Sequence, residues 1–169
     1  MPILSLAEVS RGGARVSGEI APDDPLWEGS DLRLEEPLRV ELQAQAVGEG
    51  VLVRGRIGTR LALECRRCLA PVSVGVDDEV TLLFEPLAAD EEEELEGEVY
   101  PLPPRGDELD LRPALREELI LRVPAFVVCS ESCRGLCPTC GANLNETTCS
   151  CVPAEESSPW SALKNLKFD

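Results

Sequence analysis

The chain of 169 residues has no histidine, one tyrosine, one methionine and only 4% aromatic residues. Without histidine there is no usual general base for a serine or cysteine nucleophile. Its carboxylates fall in a run rather than as a spaced pair, so hydrolase chemistry is not expected and the chain does not read as an enzyme. With so few aromatics, the core must be built mainly from leucine and valine. No apolar run approaches the ~20 residues that a membrane span needs, and the opening MPILSLAEVSRGG has no charged leader followed by an apolar stretch. The expected location is the cytoplasm. Positive charge is also scarce: 16 basic residues stand against 32 acidic ones, a formal net charge of -16. Such a chain repels phosphate at long range, which excludes general coating of nucleic acid and confines any RNA contact to a local patch or a protein partner.

Cysteine, by contrast, is plentiful. Six of the eight cysteines lie in CSESCRGLCPTCGANLNETTCSC, from Cys129 to Cys151, and Cys65 and Cys68 form CRRC in mid-chain. In a reducing compartment, paired C-x2-C motifs read as metal sites before disulfides. Cys137-Pro-Thr-Cys140-Gly141 has the form of a zinc knuckle, its glycine supplying the left-handed backbone that the tight turn requires. Cys149 and Cys151 follow closely enough to complete four ligands. Cys129 and Cys133 with Cys65 and Cys68 would then form a second site, tying the middle of the chain to its end. Two other arrangements stay open: Cys65 and Cys68 facing Cys137 and Cys140 across one ribbon-like site, or a single ion with Cys129 or Cys133 left spare. Four thiolates fill the tetrahedron and leave no position for water, so the zinc, two ions on the first arrangement, is expected to be structural.

Elsewhere the pattern is that of strands. Ile3 to Val9 and Ala14 to Ile20, separated by Gly12-Gly13, suggest a terminal hairpin. Residues 21–36 read as a loop pinned to the core by Trp27. From Leu38 the period is two, with Val40, Leu42 and Ala44 on one face; after Gly48-Glu49-Gly50 it continues through Val51, Val53, Ile57, Leu61 and Cys65. Past Cys68 it resumes with Val72, Val74, Val76, Val80, Leu82 and Phe84, which puts CRRC at a strand-to-strand turn. Val99 to Leu102 suggest a short edge strand. Asp110 is placed as the N-cap of a helix over about 110–122, with Pro113 in its tolerant first turn and Leu111, Ala114, Leu115 and Leu119 on one face. Trp160, Leu163 and Leu166 suggest a short terminal helix. The expected fold is α+β, mainly antiparallel sheet with one or two short helices, as a β-rich domain over 1–125 and a Cys-rich zinc-binding tail over 126–169.

Two charge features bear on partners. Arg54, Arg56 and Arg60 share the outward face of the second long strand, and Arg66 and Arg67 follow in the turn. This stripe is the candidate contact for RNA phosphate or an acidic partner, although Arg66 and Arg67 could instead screen the thiolates and the others pair with acids on neighbouring strands. Residues 85–98 carry acids and no base, the pattern of a solvated loop, or of a mimic of nucleic acid or a docking arm for a basic protein.

Gly55 and the strand leading into Cys65-Arg-Arg-Cys68-Leu69 open a longer ordered pattern. It continues through Asp110-Leu111 and Cys129-Ser-Glu-Ser-Cys133-Arg-Gly-Leu-Cys137-Pro-Thr-Cys140-Gly141 to Asn143-Leu-Asn145 and Cys149-Ser-Cys151. Taken in order, this resembles the bacterial YceD family, the large ribosomal RNA subunit accumulation proteins. The resemblance implies a role in accumulating or processing large-subunit ribosomal RNA, with no known catalysis. Where the family commonly has Asp-Pro-Arg before its last helix, this chain has Ser158-Pro159-Trp160. The expected partner is therefore a large-subunit ribosomal RNA precursor or a basic large-subunit ribosomal protein, with no membrane and no small-molecule substrate. The rival is a thiol-disulfide redox protein using Cys65 and Cys68, their thiols activated by Arg66 and Arg67. Against it, no strand-to-helix context follows CRRC.

Overall fold

Alternating apolar and polar residues bury one side of a strand and wet the other, and two long runs of this kind set the frame of the molecule. The computed structural model describes residues 1–86, 99–103 and 106–151. Its elements are β1 (Ile3–Ser5), α1 (Leu6–Ser10), β2 (Ala14–Ile20), β3 (Leu38–Val47), β4 (Gly50–Glu64), β5 (Pro71–Glu85), β6 (Val99–Pro101), β7 (Glu108–Asp110) and α2 (Arg112–Leu121). The main sheet has the order β2-β3-β4-β5-β6, antiparallel except for β6, which runs parallel to β5. β1 and β7 form a separate antiparallel pair. The class is α+β.

The inward residues of the alternating runs, among them Val40, Leu42, Val53, Ile57, Leu61, Val80 and Leu82, are buried. They share one core with Leu4 and Leu109 of the small pair and with Leu111, Ala114, Leu115 and Leu119 of α2. Trp27, 6% exposed, closes this core from the 21–36 connection, and its indole N–H donates to the Ala21 carbonyl oxygen at 2.8 Å. The opposite face of the sheet is polar and exposed.

The β4–β5 hairpin is longer than the sheet is wide. β3 pairs with β4 only from Gly50 to Gly58. Beyond that, the distal part of β4 is flanked by residues 33–35, through Glu35 N to Arg60 O and Ala62 N to Arg33 O, both 2.8 Å. At ~3.3 Å per residue, 15 residues carry the 65–70 turn ~50 Å from the start of the strand.

Two local expectations are corrected. The N-terminal stretches do not make a hairpin: Ile3–Ser5 pairs with β7, Leu6–Ser10 is helical, and β2 pairs with β3 along its whole length. Leu6 and Val9, three apart and both turned to the core, suit a helical turn rather than a strand. Asp110 is not the N-cap, a place taken by Leu111. It stands one residue earlier, accepting the Arg112 backbone N–H at 3.0 Å while its carboxylate meets the Arg112 guanidinium at 2.7 Å. The short edge strand expected over Val99 to Leu102 is present as β6, paired in parallel with β5. The acidic run lies outside the described residues except for Glu85 and Pro86, and so does the helical pattern at Trp160, Leu163 and Leu166.

Candidate metal centres

The long hairpin ends in Cys65-Arg66-Arg67-Cys68. Its turn is closed by Leu69 N to Cys65 O (2.9 Å) and Cys65 N to Ala70 O (2.8 Å), with Leu69 in the left-handed region at φ 60. The later part of the chain meets this tip through Arg66 N to Val127 O (2.8 Å) and Leu136 N to Arg67 O (2.9 Å). These contacts bring Cys129 and Cys133 against Cys65 and Cys68. The Cys65 and Cys133 sulfurs are 3.8 Å apart and those of Cys68 and Cys129 3.6 Å apart, and the four lie within 4.8 Å of one another. A tetrahedral ion with ~2.3 Å metal–sulfur bonds requires sulfur–sulfur edges of ~3.8 Å. The set fits such an ion. Cys65, Cys68 and Cys133 are buried and Cys129 is exposed.

The second set is Cys137, Cys140, Cys149 and Cys151, also mutually within 4.8 Å. Gly141, at φ +73, turns the chain behind the knuckle, and its N–H donates to Cys137 O at 2.9 Å while Cys137 N donates to Ala142 O at 2.8 Å. This set is more open: Cys140 and Cys149 are exposed and only Cys137 is buried. All eight cysteines are free thiols, and they group as in the first of the arrangements considered from the sequence.

The two sets are laced together. Asn145 lies between Cys140 and Cys149 in the chain, yet its side-chain amide donates to the Cys133 sulfur of the first set at 3.4 Å. Its carboxamide oxygen accepts Arg134 N at 2.8 Å, and Asn143 Oδ1 in turn accepts from the Asn145 amide at 2.8 Å. Leu144 N donates to Gly135 O at 2.9 Å. Gly135 has φ +76, and a Cβ there would stand 3.0 Å from the Arg67 carbonyl oxygen, so only glycine suits this crossing. Sequence reasoning gave Asn143, Asn145 and Gly135 no role of their own. The signal was available in part, since a glycine two residues before a knuckle marks special backbone.

The electrostatics of the thiols point the same way. Burial alone would raise Cys65, but the backbone N–H groups of Cys129, Arg67 and Cys68 outweigh it and bring the thiol down to about 6. Cys137 falls to about 6 under the N–H groups of Cys140 and Thr139 and the neighbouring Cys149 thiol. Cys151 is pushed up to about 12, first by its hydrogen bond with Cys140 and then by burial. Within each set, thiols are driven in opposite directions because several negative sulfurs at such spacing cannot form together without a cation among them.

The five arginines differ in their surroundings. Arg56 pairs with Asp77 at 2.9 Å and Glu79 at 3.9 Å, and Arg60 with Glu36 at 3.6 Å. Arg67 braces the tip, its guanidinium donating to the carbonyl oxygens of Glu131 (3.3 Å) and Cys133 (3.1 Å). Arg54 and Arg66 are exposed and make no ion pair among the described residues.

Residues 53–167 match the family model described as large ribosomal RNA subunit accumulation protein YceD. An uncharacterized protein of Mycobacterium tuberculosis is 37% identical over 108 residues, which are 63% of this chain and 51% of that protein. The large ribosomal RNA subunit accumulation protein YCED homolog 1, chloroplastic, of Arabidopsis thaliana is 34% identical over 65 residues, 38% of this chain and 20% of that protein. Its namesake in Zea mays is 28% identical over 127 residues, 59% of this chain and 43% of that protein. The chain spans about half the length of the curated relatives it matches first. No solved structure matches it. Among the described residues, no helix is long and apolar enough to cross a membrane.

Proposed function

This chain belongs to the family of large ribosomal RNA subunit accumulation protein YceD, and from that premise we propose that it supports accumulation of large-subunit ribosomal RNA as a non-enzymatic assembly factor held together by two structural zinc ions. The observation that carries the structural part is the closing of eight thiols into two sets of four. Cys65, Cys68, Cys129 and Cys133 would hold one ion, and Cys137, Cys140, Cys149 and Cys151 the other. A divalent ion would supply charge neutralisation and a covalent-like cross-link, and with four thiolates around it there is no open position for a reacting water. The thiols fit zinc better than magnesium or calcium because sulfur is a soft ligand. The site would work in a reducing compartment such as the cytoplasm.

The partner on this reading is precursor RNA of the large subunit. A basic ribosomal protein is the second reading, favoured by the net charge of -16. In either case the metal-held end is a rigid fixture on a long hairpin rather than a reaction centre.

The test has two arms. Elemental analysis of purified protein should find two zinc ions per chain, with almost no thiol reacting until a chelator is added; two reactive thiols in metal-replete protein would favour the redox reading instead. In a strain lacking the gene, the ratio of large- to small-subunit ribosomal RNA should fall. The wild-type gene should restore it, whereas Cys65→Ser or Cys137→Ser should not. An unchanged ratio in the deletion strain would refute the ribosomal reading.

A further inference from the structure

The outward face of the main sheet carries two kinds of arginine. Toward the β2 C-terminal end every arginine is matched by acid: Arg39 meets Glu36 at 2.9 Å and Glu19 at 3.8 Å, Arg56 meets Asp77, and Arg60 meets Glu36. Toward the other end the register places Arg15 beside Gln43 and Gln43 beside Arg54. Neither Arg15 nor Arg54 has an ion pair among the described residues, and both are exposed. Between them lies a shallow groove of about 540 Å³ whose lining includes Gly13, Arg15, Gln43, Gln45, Leu52 and Arg54 and contains no carboxylate. In a chain with twice as many acids as bases, an acid-free groove flanked by two uncommitted guanidinium groups stands out from the rest of the surface.

From this juxtaposition we propose that the Arg15–Gln43–Arg54 row is a docking surface for the phosphate backbone of single-stranded RNA; the choice of RNA over other polyanions rests on the ribosomal reading above. The two arginines are separated by two strand spacings, ~10 Å, so they grip separate phosphates rather than one. Guanidinium forks pair bidentately with phosphate oxygens, and the Gln43 and Gln45 carboxamides between them offer donors to sugar or phosphate oxygen. No aromatic residue lines the groove, so bases do not stack there and the contact does not read sequence. The surface holds and orients RNA for a factor whose specificity lies elsewhere. With only two cations against a strongly negative chain, the contact is weak alone and its salt dependence is modest.

The experiment uses the full metal-replete chain and a short mixed-sequence single-stranded RNA, with binding followed by fluorescence anisotropy from 50 to ~200 mM salt. Wild type should bind with a measurable salt slope. Arg15→Gln/Arg54→Gln should lower the magnitude of that slope by about 1.4, two phosphates at ~0.7 each, and weaken binding about tenfold at the lowest salt. Arg39→Gln/Arg56→Gln, taken from the acid-paired half, should leave binding nearly unchanged, and Arg15→Lys/Arg54→Lys should keep the salt slope. Zinc content and melting temperature equal to wild type would show that each variant is folded. The proposal is overturned if the two glutamine pairs weaken binding equally, if wild type binds no RNA, or if poly-glutamate binds the row as well as RNA does. Each of these would leave the ribosomal reading standing, because that reading is decided by ribosomal RNA levels in the deletion strain.

Discussion

Stripping the metal should melt the Cys-rich end and leave the sheet folded. Among the described residues, the main core draws no buried residue from beyond Leu119. Among the described residues, the Cys-rich end has a satellite cluster of Cys65, Cys68 and Cys133, with Ala70, Val72, Val128 and Leu136 partly buried around it. Ordering the 25 residues from Val127 to Cys151 costs about 25 kcal/mol at ~1 kcal/mol each, the low end for backbone alone. Apolar burial by Val128 and Leu136 returns at most ~5 kcal/mol. Two thiolate-bound zinc ions, as proposed, at ~10–16 kcal/mol each would close the difference. Amide hydrogen exchange with and without a strong chelator is the assay. The N–H groups of Leu136, Cys137, Gly141 and Leu144, all hydrogen-bonded in the folded end, should lose protection by several orders of magnitude. Those of Val40, Val53 and Leu82 in the sheet should change little. If verified metal-free protein kept the first group protected, or if both groups lost protection together, the reasoning that metal alone orders this end would be refuted.

Asn145→Ala, though it removes no ligand, should weaken metal retention by the Cys65 set several-fold, because the donor to the Cys133 sulfur is lost; competition against a chelator, set by set with cobalt as a spectroscopic probe, checks this. Gly135→Ala should destabilise the same region by ~1–2 kcal/mol, since alanine is strained at positive φ and would crowd Arg67 O, lowering metal retention about tenfold. Gly55→Ala should cost the sheet ~2–3 kcal/mol, because a Cβ would strike the Glu41 carbonyl and stand 2.8 Å from the Leu42 Cα; thermal melting measures it. Asp110 is held below its ordinary value chiefly by the Arg112 side chain, so its contribution is fully present above pH ~4, its unfolded value, and is lost as pH falls through the lower folded value. The difference in melting temperature between wild type and Asp110→Asn should accordingly be constant near neutrality and vanish in strong acid.

Much of this could be read along the chain. Period-two alternation from Leu38 to Phe84 marked the inward faces of three strands, because side chains of a strand alternate by geometry alone. The C-x2-C spacings marked both knuckles for the same local reason, and the Asp-Leu opening located α2 to within a residue. The N-terminal stretch misled because its fate depends on a partner: residues 3–5 are a strand only through β7, more than a hundred positions away.

The thiols themselves, their number and their local pairing were inherent in the sequence. What tertiary structure alone decided was their grouping, since nothing in a stretch of about sixty intervening residues says which knuckle will face which; the length of the β4–β5 hairpin and the landing of Leu136 on Arg67 do. The arginines follow the same rule. Their sign is a property of composition, but whether each is neutralised or left available depends on which acids the strand register sets beside it, and register is a contact between distant segments.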